Sequence, residues 1–322
     1  MTPNGAPPGV HDYRVFGLKI RSEIELPELF VDHSDALADV AIRVGAIESD
    51  IVEEGLHADE GGLVLVVPQI ARFRISDGAT IVIDQQAGVP ARNVRLFLLG
   101  SAFGALLHQR GLLPLHANAI EIDGTAVAFM GPSGAGKSTL AACFHDQGFR
   151  VITDDVCAVG FGPDGHPYAA PGLPRFRLWA EALELVGRDP QGLSRSFLNE
   201  EEEKFDVPVD AASAARSQTP LAAIYLLERG DEFSIVPLRG IEAAEAVFAN
   251  TYRGEYLAQT SGQKEHWESA MRLVRGTPVF RAIRQWDSTS LERQCSRLLH
   301  QVRALPRKPE PFGCGGKPTG QS

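Results

Sequence analysis

The 322-residue sequence predicts an α/β fold, a phosphate-binding-loop domain preceded by a β-rich N-terminal module. Three observations carry this prediction. Short apolar runs separated by turn residues fill positions 12–100. A glycine-rich loop, Gly131-Pro132-Ser133-Gly134-Ala135-Gly136-Lys137-Ser138, sits between a strand pattern and a helix pattern. A further strand pattern follows and ends in Asp154-Asp155. With 44% hydrophobic and 22% charged residues, the chain has the composition of a globular protein able to bury a sizeable core.

Residues 1–11 are rich in Pro and Gly and read as disordered, with no apolar run of the kind a signal peptide carries. Over 12–110, the runs Tyr13-Arg14-Val15-Phe16, Val40-Ala41-Ile42-Arg43-Val44, 62–67, 71–75 and 80–83 follow strand patterning and form the N-terminal module. No motif in them carries chemistry. Positions 93–110 read as a helix with a broad apolar face, ending near Gly111. The longest apolar stretch, 96–107, is too short to span a bilayer and is interrupted by Gly100 and Gly104, so no membrane association is expected.

The phosphate-loop domain is expected over 111–304. Apolar runs at 118–122 and 125–130 flank Asp123-Gly124, a two-residue hairpin signal. If Ile122 pairs with Thr125, the register carries back to His116 opposite Gly131, at the mouth of the loop. A helix is expected over 137–147, with Gly148 suited to its C-terminal cap, and a strand over 149–153. A strand–helix–strand crossover is right-handed with parallel strands, which puts Asp154 and Asp155 on the same sheet edge as the loop. Pro163, Pro167, Pro171 and Pro174 mark a turn-rich stretch. Helices are expected at 178–185, 241–250, 265–274 and 290–303, and strands at 221–228 and 233–236. The acidic run 200–203 reads as solvated surface, and the tail 305–322 as disordered. No internal repeat is present.

Gly131, Gly136, Lys137 and Ser138 satisfy G-x-x-x-x-G-K-[ST]. Glycines let the backbone turn its N–H groups toward phosphates, and the following helix adds its positive end. Lys137 is then placed for the β- and γ-phosphates, and the Ser138 hydroxyl for Mg²⁺. The expected cofactors are ATP and Mg²⁺, held by Gly131, Ser133, Gly134, Ala135, Gly136, Lys137, Ser138 and Thr139. Of the two aspartates, one suits the metal, directly or through water, and the other suits accepting a proton from an attacking hydroxyl. An imidazole at His116 can contact the γ-phosphate or tune a neighbouring acid. Arg175, Arg177, Arg253 and Lys204 are lesser candidates for positive charge on a transition state.

Other classes are disfavoured. The net charge of −10 repels nucleic-acid backbones. The cysteines at 143, 157, 295 and 314 match no CxxC or metal spacing and read as reduced thiols of a cytoplasmic protein. Neither an Asn-Lys-x-Asp guanine motif nor a Leu-Ser-Gly-Gly-Gln transporter signature occurs.

At His116, 131–138 and Asp154-Asp155, the sequence resembles the catalytic domain of HPr kinase/phosphorylase. The spacings are similar too, 21 residues from His116 to Lys137 and 17 from Lys137 to Asp154. The resemblance implies a P-loop kinase domain of HPr kinase and phosphoenolpyruvate carboxykinase type, and γ-phosphoryl transfer to a serine hydroxyl. It makes Asp155 the base and puts Ser138 and Asp154 on the metal side, so that Asp155, His116 and Lys137 form the expected catalytic group. The stretches Tyr13-Arg-Val-Phe-Gly-Leu-Lys-Ile-Arg-Ser and Pro171-Gly-Leu-Pro-Arg-Phe-Arg-Leu-Trp179 resemble a divergent subgroup of such kinases. Some of its members accompany lasso-peptide pathways, where a precursor serine is the acceptor. The expected partner is a peptide or small protein bearing that serine, bound with help from the N-terminal module, and self-association is left open. The alternatives are a nucleotide-binding regulatory module and a small-molecule kinase.

Overall fold

Apolar residues at every second position make strands of the first third of the chain. In Ala71–Ser76, Ala71, Phe73 and Ile75 are buried, while Arg72 and Arg74 reach outward to Asp84 and Asp59. The computed structural model describes residues 9–196, 204–260, 262–285 and 288–306. Of the disorder expected at 1–11 and 305–322, residues 1–8 and 307–322 lie outside the described residues, as does the acidic run 200–203, while His11 opens a strand instead.

Eight strands form the first sheet: β1 (His11–Val15), β2 (Leu18–Ser22), β3 (Phe30–Val31), β4 (Val40–Val44), β5 (Gly55–Asp59), β6 (Gly62–Val67), β7 (Ala71–Ser76) and β8 (Thr80–Gln85). Their order is β3-β1-β2-β4-β8-β7-β6-β5, with parallel pairs at β2–β4 and β4–β8. The helix expected over 93–110 runs as α1 (Ala91–Phe97), a π segment (Leu98–Ala102) and α2 (Phe103–Gln109). Val94, Leu98, Phe103 and Leu106 pack on this sheet, and Val156, Ala158, Ala170 and Leu173 from the second half of the chain enter the same core. The first sheet is therefore packed into the rest of the protein.

The remaining elements, in chain order, are β9 (Leu113–Leu115), β10 (Ala117–Ile122), β11 (Thr125–Met130), α3 (Lys137–Asp146), β12 (Arg150–Thr153), β13 (Cys157–Phe161), β14 (Pro167–Ala169), β15 (Arg175–Trp179), α4 (Ala180–Leu185), β16 (Ser194–Arg195), β17 (Lys204–Pro208), β18 (Thr219–Arg229), β19 (Ser234–Leu238), α5 (Gly240–Ala249), a 3₁₀ turn (Gly254–Gln259), α6 (Gln263–Gly276), β20 (Val279–Arg284) and α7 (Ser288–Ala304). The β10–β11 hairpin has the expected register, Ile122 opposite Thr125, and Asp123 and Gly124 take φ of 49° and 82°, as a tight mirror-image turn requires.

β12 pairs with β10 on the side away from β11. Both its neighbours being antiparallel to β10, β12 runs parallel to β11 with one strand between them, and its end reaches the loop's edge of the sheet. A bulge shifts the β10–β12 register between Ala119↔Thr153 and Ile120↔Val151. Bulges re-aim side chains, and this one lies just ahead of Asp154 and Asp155. β18 is the central strand, parallel to β11 on one side and to β20 on the other, while its first residues pair with β14. Leu140, Phe144, Leu291 and Leu298 of α3 and α7 cover one face of this sheet over Phe129, Tyr225 and Phe280. Ala243, Val247, Ala270 and Leu273 of α5 and α6 cover the other over Ala128, Met130 and Ile224. The result is a mixed α/β protein with helices on both faces of a twisted sheet.

Two local expectations need correction. The helix expected over 178–185 begins only at Ala180, because residues 175–179 alternate and pair with β17 in a small sheet of order β15-β17-β16. Strand β14 also occupies part of the stretch read as turns between Pro163 and Pro174.

Candidate active site

β11 leads directly into the glycine loop. Gly131 has φ 143°, and a Cβ there would lie 2.7 Å from the Leu227 carbonyl on β18. Only glycine permits that approach of two backbones. Gly134 and Gly136 also take positive φ, and Gly136 caps the N-terminus of α3. Lys137, 8% exposed, folds back so that Nζ donates to the carbonyls of Gly131 (2.8 Å) and Pro132 (3.1 Å) and lies 3.1 Å from His116 Nε2. From behind, the buried Arg284 of β20 donates to the Gly136 carbonyl (3.3 Å) and to Gln294 Oε1 on α7 (2.8 Å).

The two aspartates face different surroundings. Asp154, 3% exposed, accepts hydrogen bonds from the Ser138 hydroxyl (2.9 Å) and the Arg177 backbone N–H (2.8 Å). Burial, and then the charge of Asp155, push its carboxyl above the usual range. Asp155 has φ 73°, a strained conformation for a residue with a side chain. Its Oδ1 lies 3.4 Å from His116 Nδ1, and its Oδ2 accepts from Arg177 Nη1 at 3.1 Å. Burial works to raise this carboxyl too, but nearby positive charge, Arg177 foremost and then Lys204 and Lys137, outweighs it and holds Asp155 below the usual range. Adjacent carboxyls driven in opposite directions are the arrangement in which acid–base roles divide.

Burial, and then the Lys137 charge, lower the pKa of His116 and favour the neutral imidazole. A proton on Nδ1 satisfies both contacts, Nδ1–H facing Asp155 and Nε2 accepting from Lys137. The Tyr252 ring stacks on His116, with centroids 6.1 Å apart and planes 28° off parallel. Gly100 and Gly104 make room for that ring, since a Cβ at either would come 3.2 Å from the Tyr252 hydroxyl or 3.0 Å from Cε1. The segment behind His116 is pinned twice, by His108 Nε2 at the Tyr252 carbonyl and by His266 Nε2 at the Thr251 hydroxyl, both at 2.9 Å.

These groups open into a cleft of about 510 Å³. Among the residues expected from sequence, His116, Ser133, Gly134, Gly136, Lys137, Ser138, Thr139 and Asp155 line it. Gly131 and Ala135 shape the loop, and Asp154 lies beneath, reached through Ser138. Of the lesser candidates, Arg177 and Lys204 line the cleft. The other two turn away from it: Arg175 pairs with Asp206 (3.0 Å), and Arg253 donates to Ser101 (2.8 Å). Trp179, Leu185, Arg229, Tyr252 and Arg284 went unrecognised. Trp179 alone had a local signal, standing two residues beyond Arg177 on an alternating segment.

The donors suit magnesium. Ser138 and Asp154 offer oxygen ligands to a hard cation, and charge compensation would reverse what raises the Asp154 carboxyl. Among the described residues, no group of three or more His, Cys, Asp or Glu is arranged to hold a metal. A cation here would lean on phosphate oxygens and water, as Mg²⁺ does.

No family model and no curated protein matches the sequence. Among solved structures, a match is found to the HPr(Ser) kinase/phosphatase from Coxiella burnetii, with a TM-score of 0.31 and 13% identity, covering 59% of this chain and 97% of that one. Among the described residues, no helix is long and apolar enough to cross a membrane.

Proposed function

We propose that the protein is an ATP-dependent kinase that moves the γ-phosphoryl group to a serine hydroxyl of a peptide or small protein. The observation that carries this reading is Asp155: a carboxylate held in its charged form, at a strained turn, between His116 and Arg177 at the mouth of the loop. The loop N–H groups and Lys137 bind the phosphate chain. Arg177 and Lys204 counter the charge of the transferring group. Asp155 accepts the proton as the serine oxygen bonds to the γ-phosphorus and the bond from that phosphorus to the β–γ bridging oxygen breaks. His116 orients Asp155, and Tyr252 fixes the ring of His116. Mg²⁺, held by Ser138 and Asp154, would supply charge compensation to the phosphate oxygens.

In this reading, residues 111–304 are the catalytic unit and 12–110 a module that helps present the acceptor. The protein acts in the cytoplasm, and a precursor peptide of the lasso type is the acceptor suggested by the resemblance of Tyr13–Ser22 and Pro171–Trp179. Self-association is compatible with it. The test is incubation with Mg²⁺, γ-labelled ATP and a panel of HPr and serine-bearing peptides, beside Asp155→Asn. Label on a serine with the native protein, lost in the variant, supports the kinase. Nucleotide binding with no labelled acceptor favours a regulatory module, and label on a small molecule favours the other alternative.

A further inference from the structure

The cleft is lined by two chemically different sets of residues. His116, Lys137, Asp155, Arg177 and Lys204 make up the polar and charged set. The segment that follows Arg177 adds lining of another kind: Leu178, Trp179, Ala180, Ala182 and Leu185, with Glu181 as a carboxylate. Strand geometry links the two. Arg177 and Trp179 stand two apart on β15 and so point to the same side, while Leu178 between them packs into the core and only touches the cleft. The alternation that aims Arg177 at Asp155 therefore aims Trp179 into the cleft one pleat further on. Its indole stays 41% exposed, although the neighbouring Phe176 and Leu178 of the same strand are buried. Lys204, its cross-strand partner, sets Nζ 5.3 Å from the ring centroid, which steadies the indole and places a cation beside it.

We propose that Trp179, with Ala182 and Leu185, is the nucleoside subsite, receiving the aromatic base of the nucleotide whose phosphates lie on the loop. This rests on the phosphate-loop reading above. A nucleotide carries charge at one end and a flat apolar ring at the other, and the cleft offers lining of both kinds, with Trp179 one pleat beyond Arg177, in a volume typical of small-ligand sites. Stacking on an aromatic side chain tolerates any base, because every base has a π-face. The wall supplies apolar contact and one carboxylate suited to a ribose hydroxyl, so adenine and guanine nucleotides bind alike.

Calorimetry on the full chain tests this with MgATP and magnesium tripolyphosphate as probes, on the native protein, Trp179→Ala and Trp179→Phe. The expected result is that the native protein prefers MgATP to tripolyphosphate by roughly tenfold or more. Trp179→Ala removes that preference and leaves tripolyphosphate affinity in place, and Trp179→Phe keeps most of it. An undiminished preference in Trp179→Ala overturns the subsite. So does an effect of the variant confined to the KM of a peptide acceptor, which would give the wall to the acceptor. Failure of the native protein to bind either probe overturns the phosphate-loop reading instead, and the subsite with it.

Discussion

Acid should weaken this protein through a histidine outside the cleft. His266 is 6% exposed on α6, between Phe248 and His108, whose ring centroids lie 5.7 and 5.5 Å away. Burial first, and the nearby His108 second, lower its pKa from 6.5 to about 4. The unfolded chain thus takes up this proton before the folded one does. The stability contributed by a neutral His266 is complete above pH 6.5 and is lost as pH falls toward 4. At pH 5 the difference between the two states amounts to about 2 kcal/mol. The consequence reaches the site, because His266 and His108 pin residues 251 and 252 behind His116. Urea unfolding at pH 7 and pH 5 measures it. The native protein should lose about 2 kcal/mol more than His266→Gln over that interval, the variant keeping an amide able to bond the Thr251 hydroxyl. An identical loss in both proteins would refute the assignment.

Other outcomes follow from the loop and its neighbours. Gly131→Ala forces a Cβ against the Leu227 carbonyl at a positive φ, and should lower stability by about 1–3 kcal/mol and weaken nucleotide binding; an unchanged thermal midpoint and affinity would contradict this. Arg177→Gln keeps the backbone N–H that serves Asp154 but removes the cation beside Asp155. The Asp155 carboxyl then rises, so the acid limb of the activity profile should move to higher pH, whereas a fall in rate with no change of profile would mean that Arg177 acts on the transferring group and not through Asp155.

Much of the site's position was legible because its determinants are local. Asp123-Gly124 sets the hairpin register, which fixes where His116 stands, and the glycine spacing sets the loop. The crossover rule brought Asp154 and Asp155 to the loop's edge even though β10 intervenes between β11 and β12. What was hidden depends on residues distant in sequence. β15 is a strand because β17 pairs with it across residues 180–203, so Trp179 and Lys204 could not be matched in advance. Tyr252 reaches His116 from beyond α5, into space left by Gly100 and Gly104, which in the sequence only interrupt an apolar stretch. The opposite environments of the two aspartates come from the bulge near Ile152, the left-handed turn at Asp155 and the side chain of Arg177, none of which has a sequence pattern.

The central claim is that residues 131–139 hold the phosphates of a nucleoside triphosphate. Its most direct test is calorimetric titration of MgATP into the native protein and into Lys137→Met, which keeps the apolar stem and removes the charge. Saturable binding at one site per chain, weakened roughly 10- to 100-fold in the variant, is the predicted result. No binding by the native protein, or equal affinity in the two, would contradict it.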